Sequence, residues 1–102
     1  MFDIILTMNS GYVKQIKGGV AKFDPRDENK YFLFGSFVKD KKYHDIDLGV
    51  VGNKKSRKDL SELRDLFYDS AIPYKVDVVD FDNADENFKQ YVFKKEPILW
   101  IQ

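Results

Sequence analysis

The chain contains no cysteine. That excludes a disulfide framework, a thiolate nucleophile and a zinc–thiolate centre. Its single histidine, His44, reads as a turn residue rather than a ligand or a base. Neither sign of charge is in excess, because 17 Lys and Arg balance 17 Asp and Glu. Global attraction to nucleic acid or to an anionic membrane is therefore not indicated. No apolar run approaches the ~18 residues needed to cross a bilayer. The opening Met1-Phe2-Asp3-Ile4-Ile5-Leu6 is apolar but brief and lacks the basic lead of a signal peptide. A soluble cytoplasmic protein is the expectation. Repeats and low-complexity tracts are absent too. With 102 residues there is room for one modest core, so residues 1–102 read as a single domain with no space for a separate substrate domain.

What is present is a series of short elements. Val13, Ile16, Val20 and Phe23 recur at helical spacing, with Ser10 as a candidate cap. Gly18-Gly19 weakens that helix by roughly 1 kcal/mol per glycine, and Met1–Met8 receives no assignment. Asp24–Asn29 reads as a loop. Tyr31–Phe34 reads as a buried strand and Asp45–Val51 as a second. Leu60, Leu63, Leu66 and Phe67 mark the inner face of a helix from about Ser56 to Asp69. Tyr74–Phe81 reads as a third strand. Asn83 and Glu86 have capping-box spacing, ahead of a helix that turns Phe88, Tyr91 and Val92 inward and stops at Pro97. Ile98–Ile101 reads as a short strand or docking segment. Phe32, Phe34, Phe67 and Phe88 are expected in the core, whereas Trp100 fits the core and a partner surface equally. The alternation of strands and helices predicts an α/β (α+β) fold, with a sheet covered on one side by helices.

Chemistry concentrates in two places. Gly35-Ser36 ends the first strand, and Asp45-Ile46-Asp47 opens the second. Strand side chains alternate, so Asp45 and Asp47 share a face. Two carboxylates ~4 Å apart repel by about 4 kcal/mol at an effective dielectric of ~20, and a divalent cation relieves that. Magnesium is commonly held by one or two carboxylates together with substrate phosphates. A Gly-Ser turn lets backbone approach a phosphate and offers N–H and hydroxyl donors. Ser36 is no candidate nucleophile, because the sequence positions no base for it. The bland reading of an isolated Asp-x-Asp is solvated turn chemistry. Lys39, Lys41 and Lys42 are either a solvated loop or a source of positive charge for phosphates. Lys54, Lys55, Arg57 and Lys58 read as surface charge, with an acidic or RNA partner as the alternative.

Phe34-Gly35-Ser36, Asp45-Ile46-Asp47-Leu48 and Pro73-Tyr74-Lys75-Val76-Asp77-Val78-Val79 together resemble the minimal nucleotidyltransferases of the DNA polymerase beta superfamily. The resemblance runs from about Lys30 to Gln102. It implies a nucleotidyltransferase palm-like mixed sheet flanked by helices, and transfer of a nucleoside monophosphate by a two-Mg2+ mechanism with ATP as substrate. Gly35 and Ser36 match the pair that holds the triphosphate, with Lys39 and Lys42 as further nucleotide-binding candidates. Asp45 and Asp47 match the paired metal ligands. Asp77 matches the third catalytic carboxylate, beside the attacking hydroxyl. The chain departs from the family in its loop: eight residues separate Ser36 from Asp45, Phe37 stands at the usual arginine position, and a later glycine is missing.

The same resemblance implies a partner. Minimal nucleotidyltransferases commonly pair with an all-helical HEPN-domain toxin, an RNase, and act as its antitoxin by transferring AMP to a tyrosine hydroxyl. Small size fits this, since a partner would complete the site or be the substrate. Self-association or a hetero-complex is expected, and direct nucleic-acid binding is not. The altered loop motivates an alternative, a catalytically weak antitoxin that neutralises its partner by covering it. Transfer to a small molecule such as an aminoglycoside is disfavoured by the lack of a second domain.

Overall fold

Tyr31-Phe32-Leu33-Phe34 is buried on both of its faces, which places it at the middle of a sheet rather than at its rim. It forms most of strand β1 (Asn29–Phe34). The computed structural model describes residues 2–40, 42–52 and 60–102, with side chains in the first helix described from residue 11 onward. Lys41 and residues 53–59 lie outside the described residues, and with them the expected helix start at Ser56 and the charges Lys54, Lys55, Arg57 and Lys58.

The first helix, α1 (Phe2–Phe23), takes in most of the segment left without assignment and runs straight through Ser10, which is therefore not its cap. It also continues through Gly18-Gly19. At Gly19 an added Cβ would stand 2.8 Å from the Phe67 ring, so this glycine lets the helix lie close to its neighbour. After β1 come one turn of helix, α2 (Ser36–Lys39), and strand β2 (Asp45–Gly52). The chain continues with α3 (Leu60–Tyr68), β3 (Lys75–Asp80), α4 (Glu86–Lys95) and β4 (Leu99–Trp100).

The sheet order is β3-β2-β1-β4. β1 is antiparallel to both β2 and β4, whereas β2 and β3 are parallel. A parallel pair needs a long crossover, and α3 supplies it. Tyr31 accepts from Ile101 N–H at 2.9 Å and donates its own N–H to Gln102 at 2.8 Å, so the terminal residues extend the β1–β4 pairing.

Helices cover both faces of the sheet, not one. On the first face Leu33, Leu48 and Val78 meet Val13, Ile16 and Val20 of α1 and Leu63 and Phe67 of α3. On the second, Phe32, Phe34 and Phe81 meet Val92 of α4. Each fully buried aliphatic or aromatic side chain contributes about 1.5–3 kcal/mol. Phe32 needs room to lie flat: it faces Gly49 across the β1–β2 pair, and a Cβ at Gly49 would overlap its ring.

Two expectations for α4 are corrected. Asp85, not Asn83, is the N-cap, accepting from the N–H groups of Asn87 at 3.0 Å and Phe88 at 3.2 Å. Asn83 instead donates its side-chain amide to Asp80 at 2.8 Å, within the turn after β3. Of the three residues expected inward, only Val92 is buried. Phe88 and Tyr91 are exposed because α4 lies at the edge of an aromatic cluster, where Phe88 reaches Phe34 and Phe81 through its ring. Trp100 is half exposed, packed against Phe32 and stacked on Phe93.

The loop before β1 is more ordered in its bonding than its composition suggests. Buried Asp24 accepts from the N–H groups of Glu28 and Asn29, each at 2.9 Å, and from the Tyr31 hydroxyl at 3.0 Å. Burial, chiefly, pushes the Tyr31 hydroxyl well above its ordinary range. Among the described residues no helix is long and apolar enough to cross a membrane.

Candidate functional site

The acidic residues continue the aromatic face. Phe32 and Phe34 point to the α4 side of the sheet, and in register with Phe34 stands Asp47. On the next strand Asp47 faces Asp77 directly, and Asp45 faces Lys75. Registered neighbours in a sheet project to the same side. Asp45, Asp47, Lys75 and Asp77 therefore share one patch at the end of the sheet where β1 finishes and β2 and β3 begin. The expected same-face pair, Asp45 and Asp47, is a property of β2; the meeting of Asp47 with Asp77 comes from the parallel register.

Asp47 is the most enclosed of the three. Its carboxyl is pushed up to about 6 from an ordinary 3.8, first by burial, then by the charges of Asp77, Asp45 and Glu96. Asp45 and Asp77 are exposed. Among the described residues no three His, Cys, Asp or Glu side chains stand close enough to form a ready metal cage. The donor set still suits magnesium, a hard cation that takes one or two carboxylates and completes its shell with phosphate oxygens and water. An Asp47 carboxylate held at an unfavourable charge density is what such a cation would relieve.

The Gly-Ser turn lies directly against this patch. Gly35 has φ +77 and ψ −158, a backbone region open essentially to glycine. A Cβ there would collide with the Asp47 carboxylate. Gly35 O then accepts from Val38 N–H at 3.0 Å and from Lys39 N–H at 3.2 Å, closing α2. Ser36, half buried, is the first residue of α2. An opening turn leaves its first N–H groups without partners inside the helix, which is the donor supply that an anion uses.

The shortened loop is pinned from below. Phe37, at the position where a family arginine was expected, is fully buried in the core. Its ring meets Tyr43 edge-on at 4.8 Å, and Tyr43 in turn packs on Tyr74 at 4.8 Å. Lys42 and His44 are exposed. Lys39 is not free: its ammonium donates to Glu96 Oε2 at 2.8 Å. Beside the patch, an open groove of about 740 Å3 follows the edge of β3 and α3, lined by Arg64, Tyr68, Tyr74, Lys75 and Asp77 among others.

Besides Lys75, which shares the patch, Glu96 is a site residue that sequence reasoning missed. It is the C-cap of α4, extended at φ −99 and ψ 144 because Pro97 follows. Its side chain is 8% exposed, and it acts on Asp47. One signal was available. An acid at a helix C-terminus opposes the macrodipole, so a glutamate there suggests a cation elsewhere in the fold.

The family model described as "Polymerase beta, Nucleotidyltransferase" matches residues 22–102, most of the chain. The chain belongs to this family. Its general activity is therefore that of a nucleotidyltransferase, in a family that works on nucleoside triphosphates with magnesium. The mixed four-stranded sheet flanked by helices agrees with that assignment. The match takes in β1 through β4 and only the last residues of α1, so the nucleotidyltransferase unit is the sheet with α2, α3 and α4. No curated protein matches the chain.

Proposed function

We propose that this nucleotidyltransferase moves AMP from ATP onto a hydroxyl of a protein acceptor. The observation that carries the reading is Asp47 facing Asp77, with Asp45 on the same side and Gly35 pressed against the Asp47 carboxylate. Asp45 and Asp47 would hold magnesium, and Asp77 would join them at a second ion. Bound magnesium supplies charge neutralisation at the phosphates and a more acidic acceptor hydroxyl. The chain's own groups do the rest. Gly35 and Ser36 present backbone N–H and hydroxyl donors to the triphosphate. Exposed Asp77, on the outermost parallel strand, accepts the proton of the incoming hydroxyl. That oxygen bonds to the α-phosphorus as the bond to pyrophosphate breaks. The groove along β3 offers the acceptor a path to Asp77.

The acceptor in this proposal is a tyrosine of an HEPN-domain toxin, and the chain is its cytoplasmic antitoxin. That part rests on likeness to the minimal nucleotidyltransferases. A second reading has its own support: Phe37 fills the arginine position and Glu96 occupies Lys39, which favours a weak catalyst that neutralises its partner by forming a complex with it.

The test is label transfer from α-labelled ATP with magnesium, wild type against Asp47→Asn, in the presence of the protein encoded by the neighbouring gene. Label on that protein with wild type alone supports adenylyl transfer and identifies the acceptor. Tight binding with no label in either sample selects the binding antitoxin. Equal label from a folded Asp47→Asn variant overturns the assignment of the aspartates.

A further inference from the structure

Lys39 closes α2, the single turn that begins next to Gly35. The Lys39 backbone is tied to the Gly-Ser turn by its N–H to Gly35 O bond at 3.2 Å, so the lysine side chain starts one helical turn from Ser36. Glu96 arrives from the other end of the chain, at the C-terminus of α4, and meets the ammonium at 2.8 Å. The pair is asymmetric. Glu96 is 8% exposed by side chain, whereas Lys39 is 41% exposed. An anion in solution can thus reach the lysine without unburying the glutamate. Glu96 also has a second donor, the Tyr91 hydroxyl at 3.4 Å from the same oxygen, so it keeps a partner if the lysine leaves.

We infer that Lys39 and Glu96 form an exchange pair: Glu96 occupies the lysine in the free protein, and an arriving polyphosphate displaces it and takes the ammonium. The inference rests on the nucleotidyl-transfer reading of the Gly35–Ser36 turn and assigns its cation. Glu96 then serves as an internal stand-in for phosphate. It keeps Lys39 beside the turn in the ligand-free state, and it sets a threshold that weakly charged ligands do not cross. A monophosphate competes with one carboxylate poorly; a triphosphate, with more charge on adjacent oxygens, competes well.

The experiment is calorimetric titration of Mg-ATP and of inorganic triphosphate into wild type, Lys39→Met, Glu96→Gln and the double variant, each first checked by thermal melting. Glu96→Gln is expected to tighten binding of both probes by roughly threefold to tenfold, and Lys39→Met to weaken it by a similar factor. In the Lys39→Met background, Glu96→Gln should add much less, because only its repulsion of Asp47 is then relieved. Unchanged or weaker binding in Glu96→Gln overturns the exchange, as does a gain of undiminished size without Lys39, which would be general relief of negative charge. Should Glu96→Gln fail to fold, Lys39→Met decides alone: undiminished affinity overturns the proposal. Wild type that binds neither probe overturns the nucleotide site itself, and the exchange with it.

Discussion

The Asp47 carboxylate occupies the space in which a side chain at position 35 would begin. Gly35 is thus required twice, once for its positive φ and once for the approach of the metal-ligand candidate. Gly35→Ala should lower stability by about 1–3 kcal/mol through backbone strain alone. Displacing Asp47 by even ~1 Å should reduce transfer by about a hundredfold. Chemical denaturation and label transfer check the two effects separately.

Asp47 sets a pH dependence. Its carboxyl titrates near 3.8 when unfolded and near 6 when folded. Between those values the native state binds more protons, so stability without metal should fall as pH rises from about 4 to about 6 and stay lower above that. Asp47→Asn should remove this slope and raise metal-free stability at pH 7 by about 1–2 kcal/mol, a figure already reduced for solvent screening. Magnesium with ATP should raise the melting temperature of wild type at pH 7.5 by binding the native state. The gain should shrink below pH 6 as protons compete for the carboxylate. Melting curves at several pH values, with and without magnesium, give both slopes; an absent magnesium shift removes Asp47 as a ligand.

Asp24 is expected to matter for stability although it lies far from any chemistry. Removing its carboxylate leaves two backbone N–H groups and the Tyr31 hydroxyl without this acceptor in a buried place. Asp24→Ala should cost about 2–4 kcal/mol, read from the urea midpoint. Asp24→Asn, which keeps an acceptor oxygen, should cost less.

Adjacent glycines in α1 should respond with opposite sign. A Cβ at Gly18 meets nothing within 4 Å, whereas one at Gly19 meets the Phe67 ring at 2.8 Å. Gly18→Ala should stabilise by about 0.5–1 kcal/mol through better helix propensity. Gly19→Ala should destabilise, because overpacking a close helix contact costs about 1–3 kcal/mol. Paired thermal melts of the two variants test the α1–α3 contact directly.

Local periodicity determined a good deal here. The two-residue period of a strand places Asp45 and Asp47 on one face before any fold is known. Turn chemistry marks Gly35-Ser36, and the apolar runs mark the first three strands within a residue or two, with the fourth left between a strand and a docking segment. Capping was less legible. Asn83 and Asp85 both have the chemistry of an N-cap, and only the turn that occupies Asn83 with Asp80 leaves the role to Asp85.

Tertiary structure decided what depends on contacts between distant segments. The crossover through α3 makes β2 and β3 parallel and brings Asp77 opposite Asp47. The return of α4 over the aromatic face covers the second side of the sheet and delivers Glu96 to Lys39 across 57 positions of sequence. A residue's strand or helix preference is a property of its neighbours in the chain, and so can be read from them. Register, the choice of ion partner and the close approach of Gly35 to a carboxylate are set by packing and charge between segments that meet only when the chain has folded.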